Sequence, residues 1–285
     1  MSNINKLLEK EVNGLKVNLF EYNTESEESI KQIREYLINK VKISKVYSMA
    51  EYDLTYYGKN LDPKFISKFN EEVNKICIPK KHSISQFDVR RERVTEWIAQ
   101  YLLEHEYDCK FFDEADKRVN LDPVEVDKHT DGIDVPGIWF DDNIIRFVVC
   151  EVKASEEITI PCSSATALQN DIQKAIDNVD NRVTREILTY VLGIKNITND
   201  KLTNKIIIFL SSLIAGEKKD LAEKIMFFPF FLRNNKRIVS EKNINDYENF
   251  SLQKVKKENV ESIILAFNKN FSDFSNNIYE EAVGK

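Results

Sequence analysis

Two acidic residues and one lysine occupy positions where the sequence is otherwise typical of buried strands. Asp134 follows Gly132-Ile133 at the start of one apolar run, and Glu151-Val152-Lys153 ends a second run that begins at Ile144. Polar groups in such strands must be paired or bind a ligand, because their burial otherwise costs free energy. The simplest interpretation is that these three side chains converge on a divalent metal ion and a phosphodiester.

A β-hairpin would bring these residues together. Residues 144–152 are mostly β-branched or apolar, which predicts a strand buried on both faces. Residues 133–140 predict its partner strand, and Asp141-Asp142-Asn143 predicts the turn between them. Side chains alternate along a strand, so Glu151 and Lys153 share one face. The turn then folds the start of the first strand, with its acid, back towards the end of the second.

Neighbouring carboxylates and an ammonium group suit metal-assisted hydrolysis of a phosphodiester. Two carboxylates repel each other unless a cation lies between them, and Mg²⁺ (or Mn²⁺) prefers carboxylate oxygens while keeping coordinated water. Asp134 and Glu151 are therefore candidate metal ligands. Lys153 would orient the attacking water or stabilise charge on the phosphate. Together these residues predict a Mg²⁺-dependent nuclease.

Similar tripeptides elsewhere in the chain are weaker candidates. Glu217-Lys218-Lys219 follows a glycine in a charged stretch, which favours a solvated loop, whereas Asp108-Cys109-Lys110 could open a short strand. Asp131 competes with Asp134, but Asp134 directly enters the predicted strand. An edge-strand ion pair is the alternative for Glu151 and Lys153. We favour the metal site because only this tripeptide ends a long apolar strand with Gly-Ile-Asp at hairpin distance.

The same residues resemble the core of the PD-(D/E)xK nucleases, the superfamily of restriction endonucleases. Gly132-Ile133-Asp134, the hairpin and Glu151-Val152-Lys153 carry this resemblance over about residues 84 to 180, with Ile133 in place of the usual proline. More narrowly, the segment from His129 to Asp134, the run from Glu151 to Ser155 and the chain length resemble the HamA family. Members of that family are nuclease subunits of Hachiman anti-phage defence systems.

The resemblance implies a restriction-endonuclease-like fold and a DNA nuclease that works with a superfamily-2 helicase subunit (HamB-like). It also implies an acid on the helix before the core strands. Residues 85–106 predict that helix by their apolar stripe, which is formed by Val94, Trp97, Ile98, Tyr101 and Leu102. Glu96 lies beside the stripe and is the candidate catalytic acid and further metal ligand. Glu92, one turn away, remains open, as does an ion pair of Glu96 with Arg93.

Candidate nucleic-acid contacts lie near this helix and beyond the core strands. Arg90, Arg91 and Arg93 precede Glu96 and could follow phosphates, and residues 233–237 form a second basic cluster. Both clusters have solvated surface as their alternative. On the helix predicted at 165–179, the resemblance implies that Gln169 holds substrate, although a solvent-facing residue is the simpler alternative. The net charge of −6 argues against binding nucleic acid by bulk electrostatics.

The remaining patterns predict an α/β fold with a mixed sheet flanked by helices. A helix-rich accessory or partner-binding lobe (1–80) would precede the nuclease domain (81–285). Further strands are predicted at 15–20, 224–232 and 260–267. Further helices are predicted at 27–41, 63–76, 181–192, 202–213 and 271–283, although the apolar run from Ile206 could instead be a strand.

Composition excludes several other classes of protein. Hydrophobic residues make up 42% of the 285 positions, which is enough for a large core, and only 7 glycines favour a helix-rich fold over an all-β sandwich. No apolar run is long enough to span a membrane, and the first residues do not resemble a signal peptide. The four cysteines lack paired zinc-site spacing, so we expect reduced thiols in a cytoplasmic protein.

Two other functions remain open. A stand-alone restriction or repair endonuclease would need its own base-reading module, and no segment predicts one. A non-cutting subunit that binds nucleic acid or a helicase would not need the complete set of two acids and a lysine. We therefore expect a nuclease effector controlled by a partner.

Overall fold

The computed structural model describes most of the chain. The described residues are 3–45, 55–56, 59–60, 62–81, 88–112, 133–141, 144–156, 162–177, 183–194, 201–215, 224–234, 247 and 250–283. The strands are β1 (Ile4–Val12), β2 (Leu15–Tyr22), β3 (Thr55–Tyr56), β4 (Lys59–Asn60), β5 (Val135–Asp141), β6 (Ile144–Ser155), β7 (Ile225–Arg233) and β8 (Glu261–Ala266). The helices are α1 (Glu27–Lys45), α2 (Pro63–Cys77), α3 (Val89–Glu106), α4 (Cys162–Asp177), α5 (Thr184–Ile194), α6 (Lys201–Ala215) and α7 (Phe271–Ala282).

Within the described residues, a 6-stranded sheet in the order β1-β2-β8-β7-β6-β5 forms the centre of the fold. The two outer pairs, β1 with β2 and β5 with β6, are antiparallel, whereas the four inner strands β2, β8, β7 and β6 run parallel to one another. One face packs against α1, α3 and α7, and the other against α4, α5 and α6. The predicted α/β class, with a mixed sheet flanked by helices, is confirmed.

The first strand was not predicted from the sequence. β1 is rich in lysine, glutamate and leucine, and most of its side chains are exposed, because it lies at the edge of the sheet. Asn13 and Gly14 form a tight turn to β2 with φ values of 52° and 78°, a conformation that this residue pair tolerates well. β2 then joins β8, so the predicted boundary at residue 80 separates residues that share one sheet. A partner-binding role for the first 80 residues stays a prediction.

Helix α6 resolves the ambiguity of the apolar run at residue 206. Ile206, Leu210 and Leu213 are buried at helical spacing, whereas Ile208 is 70% exposed. A buried strand would instead have enclosed the whole run. The run is therefore helical because only one side of it meets the core.

Helix α3 places the candidate helix acid next to the sheet. Its first turn is capped by Asp88, whose side chain accepts a hydrogen bond from the backbone N–H of Arg91 at 3.2 Å. The helix ends at Glu106, and Asp108 follows with a positive φ of 53°. Residues 85–87, where the sequence predicted the helix to begin, lie outside the described residues.

Candidate functional site

The β5–β6 hairpin brings Asp134 to the Glu151-Val152-Lys153 tripeptide. Val135 pairs with Cys150, so Asp134, directly before Val135, comes level with Glu151. The Oδ2 atom of Asp134 accepts a hydrogen bond from the backbone N–H of Val152 at 2.7 Å. This contact joins the first acid to the middle residue of the tripeptide. The chain reversal predicted near residue 142 therefore produces the expected proximity, although Asp142 and Asn143 themselves lie outside the described residues.

Glu151 lies inside the fold rather than on its surface. Glu151 is a residue of β6, which lies between β5 and β7 in the sheet, and it is 2% exposed. A carboxylate buried to this degree costs free energy unless charge or hydrogen bonds compensate it. An ion pair on an exposed edge strand does not describe this position.

Glu96 is buried and interacts with two charged residues. Its Oε2 atom lies 2.9 Å from Nη1 of Arg93, one turn earlier on α3. Burial raises the pKa of Glu96 to about 8, Arg93 opposes this rise, and the negative charge of Asp134 adds to it. Glu96 is therefore close enough to Asp134 to feel its charge while it pairs with Arg93. The contact with Arg93 that the sequence left open is therefore present, whereas a role of Glu96 as catalytic acid or metal ligand stays a prediction.

Lys153 contacts Asp171, an acid that the sequence patterns did not identify. Its Nζ atom lies 2.7 Å from Oδ2 of Asp171 on α4. Burial lowers the pKa of Lys153, but Asp171, Asp134 and Glu151 outweigh this effect and raise the pKa above its ordinary value. The lysine is thus a cation bound to Asp171, and the negative charges of Asp134 and Glu151 also stabilise it. No local sequence signal identified Asp171, since this contact joins a strand to a helix that follows it.

Among the predicted nucleic-acid contacts, the arginines of α3 lie partly inside the fold. Arg90 donates to the backbone oxygen of Pro79 at 2.7 Å and to Asn276 at 3.1 Å. Arg93 is 9% exposed and bound to Glu96, whereas Arg91 is partly exposed. Arg90 and Arg93 therefore have internal partners. Contacts of all three arginines with nucleic acid stay a prediction.

Two further candidates also have defined positions. The Oε1 atom of Gln169 accepts a hydrogen bond from the backbone N–H of Ser251 at 3.1 Å, so this side chain helps to hold the chain segment that runs along α4. Arg233, from the second basic cluster, ends β7 and is 1% exposed, and it does not present a basic surface. Residues 235–237 lie outside the described residues. A role of Gln169 in binding substrate stays a prediction.

The competing tripeptides do not form a comparable site in the described part of the chain. Asp108 is exposed in a turn, and the backbone of Lys110 forms an isolated bridge with Ile138. Glu217 and Asp131 lie outside the described residues. The buried thiols Cys109 and Cys150 both have a pKa raised by burial, which makes them poor metal-binding thiolates.

Within the described ranges, no group of three or more His, Cys, Asp or Glu side chains has the arrangement of a metal site. Asp134 and Glu151 therefore form a candidate set of only two carboxylate ligands. Glu96, the predicted third ligand, is directed to Arg93 at 2.9 Å. A cation that binds here would therefore have two carboxylate ligands from the protein, Asp134 and Glu151, while Glu96 stays bound to Arg93.

Comparison with known proteins gives no match to a protein-family model and no match to a curated protein sequence. In the part of the chain that the structure describes, none of the helices has both the length and the apolarity that crossing a bilayer requires.

Proposed function

We propose that this chain is a metal-dependent DNA nuclease with a restriction-endonuclease-like core. The observation that carries the proposal is the 2.7 Å hydrogen bond from Val152 N–H to Asp134, which places the first acid beside the Glu-Val-Lys tripeptide. The helix acid Glu96 approaches the same place from α3, as its electrostatic interaction with Asp134 indicates. These are the residue types and the strand arrangement that the PD-(D/E)xK resemblance implies.

The donor set fits a hard divalent cation. Mg²⁺ binds carboxylate oxygens, keeps several water molecules and needs only one or two protein carboxylates when a substrate phosphate completes its shell. Asp134 and Glu151 would supply these carboxylates, and Glu96 could join them if it left Arg93. When bound, the ion would activate water and neutralise charge on the phosphate.

The positions of Val152, Glu151 and Lys153 determine the role that each would have in the reaction. The backbone amide of Val152 fixes the orientation of the Asp134 carboxylate through the 2.7 Å hydrogen bond. Glu151 is rigid because it lies in a buried strand. Lys153 carries a positive charge beside both acids and offers N–H donors to the phosphate or to the attacking water. The chain thus supplies an oriented acid pair and a cation, which phosphodiester hydrolysis requires.

The resemblance to the HamA family supports an effector of a cytoplasmic anti-phage complex, controlled by a superfamily-2 helicase subunit. The net charge of −6 is compatible with such control, since a protein with little bulk attraction to DNA depends on recruitment. The partner would then bring the nuclease to its substrate.

A non-cutting subunit is the second candidate, and one observation favours it. The Arg93–Glu96 ion pair occupies the third carboxylate, and the described residues contain no three-acid group with metal geometry. A binding subunit could keep the nuclease-like core while its acids serve only the fold. Cleavage assays separate the two candidates directly.

The test is degradation of plasmid and linear DNA by the full-length chain, with and without a superfamily-2 helicase subunit. We expect cleavage with Mg²⁺, none with EDTA, none with Glu151→Gln, and only a small residual rate with Lys153→Ala. The control is Lys254→Ala, which removes an exposed lysine paired with Asp177 at 2.9 Å and should cleave like the wild type. Cleavage that survives both site substitutions contradicts the assignment. An inactive wild type under every condition favours the binding subunit.

A further inference from the structure

Helix α4 carries an acid that reaches the candidate site from the side opposite to α3. Leu168 and Ile172 of α4 are 1% and 0% exposed and pack in the core on the face of the sheet that α5 and α6 also cover. Asp171 directly precedes Ile172, so its backbone is fixed by that packing. The carboxylate therefore projects from a rigid position rather than from a loop.

Asp171 binds two lysines with its two oxygen atoms. Its Oδ2 atom lies 2.7 Å from Nζ of Lys153, and its Oδ1 atom lies 3.1 Å from Nζ of Lys174. The side chain of Lys153 is 35% exposed and that of Asp171 is 22% exposed, whereas the side chain of Lys174 is 66% exposed. The shorter contact is thus also the better shielded one.

A lysine side chain has four rotatable bonds, so its ammonium group needs a partner if it is to stay in one place. Asp171 provides a partner at the edge of the acidic site, since both Asp134 and Glu151 also interact electrostatically with Lys153. An ammonium group has three N–H donors, and the bond to Asp171 uses one of them. The other two can point towards a phosphate or a water molecule held at the acids.

We propose that Asp171 is a positioning residue that fixes the ammonium group of Lys153 for the reaction. This inference rests on the proposed nuclease function and adds a residue to it. Asp171 itself is not expected to touch the substrate or the metal. The alternative is a purely structural role, in which the Asp171–Lys153 ion pair only stabilises the packing of α4 against β6.

The two possibilities differ in what a substitution changes. If Asp171 only fastens the helix, Asp171→Ala lowers the melting temperature and leaves the turnover of the folded enzyme unchanged. If Asp171 positions Lys153, Asp171→Ala lowers kcat by about 10- to 100-fold with little change in KM, as expected for the loss of a residue that orients a reactive group. Asp171→Asn retains an oxygen acceptor for the ammonium group and should recover part of the activity.

A double-mutant cycle shows whether Asp171 acts through Lys153. Lys153→Ala and Asp171→Ala are measured singly and together in a Mg²⁺-dependent cleavage assay with the full chain and its helicase partner. In the Lys153→Ala background, Asp171→Ala should change kcat by less than about 2-fold, because its target is already absent. Residual cleavage by Lys153→Ala is followed at high enzyme concentration over long incubations. Equal fold-losses in both backgrounds contradict the proposal.

The chain offers a matched control on the same helix. Asp177 also pairs with a lysine, Lys254, at 2.9 Å, but it lies about one and two-thirds turns from Asp171 on the helix, and its side chain is 42% exposed. Asp177→Ala should keep wild-type kcat. A wild-type kcat for Asp171→Ala, with Glu151→Gln inactive, overturns the positioning role and leaves the nuclease function intact. An inactive wild type overturns the proposed function and the inference together.

Discussion

The side chain of Arg93 donates a buried hydrogen bond to Glu96 on α3, with Nη1 and Oε2 2.9 Å apart. The same glutamate feels the charge of Asp134, which precedes β5. The burial of this carboxyl raises its pKa and gives the pH dependence of stability a specific origin.

As the pH rises from about 4.5 to about 8, the free energy of unfolding of the metal-free protein should fall because of Glu96. Burial raises the pKa of this carboxyl from 4.5 to about 8, so the folded state holds a proton that the unfolded state has lost in this range. A raised folded-state pKa contributes stability at low pH, and this contribution is lost as the pH rises through the folded pKa. Urea unfolding in EDTA at several pH values measures the slope of the free energy of unfolding against pH.

Glu96→Gln supplies the comparison for this pH series. The amide does not titrate, so the variant should lose the part of the slope that Glu96 contributes. Identical slopes for the wild type and Glu96→Gln would show that this carboxyl does not keep its proton in the fold.

The hydrogen bond of Asp134 allows stability to be separated from activity. Asp134→Ala leaves the N–H of Val152, a residue 8% exposed, without the acceptor seen at 2.7 Å, and should lower the free energy of unfolding by about 1 to 3 kcal/mol. Asp134→Asn keeps an oxygen acceptor and should be closer to the wild type in stability. Both variants should lose Mg²⁺-dependent cleavage, because a neutral side chain is a poor metal ligand. An active Asp134→Asn enzyme would remove Asp134 from the metal site.

Gly137 in β5 is required by the close approach of an aromatic ring. A Cβ atom at this position would lie 2.5 Å from Cε1 of Phe111, so Gly137→Ala overpacks the hairpin that holds Asp134. We expect the free energy of unfolding to fall by about 1 to 3 kcal/mol in urea denaturation. Combining it with Phe111→Ala removes the ring and should recover part of this loss relative to Phe111→Ala alone. A loss of the same size in both backgrounds would show that the ring is not the cause.

The buried thiols should resist alkylation in the folded protein. Cys109 and Cys150 are 1% and 0% exposed, and burial raises the pKa of both thiols, so little reactive thiolate is present near pH 8. Iodoacetamide labelling followed by peptide mass spectrometry should find both unmodified in the native protein and modified in urea. Rapid native labelling of Cys150 would show that the end of β6 opens to solvent.

Local patterns were enough to predict the hairpin and the helix that carry the site. The apolar run of residues 144–152, the turn after Asp141 and the stripe of α3 each depend on residues close together in sequence. Such patterns predict which side chains share a face. They therefore predict that Asp134 lies near Glu151, as the hydrogen bond from Val152 shows.

Tertiary structure decided the contacts between distant segments. β1 is a strand although it is polar, because it pairs with β2, and β2 reaches the central sheet through β8 near the other end of the chain. The Lys153–Asp171 contact arises only when α4 packs against the sheet. The sequence by itself determined the hairpin and its acids, because periodicity and turn chemistry are local. Only packing determined which residue holds the lysine, because partners from separate elements meet through the geometry of the whole fold.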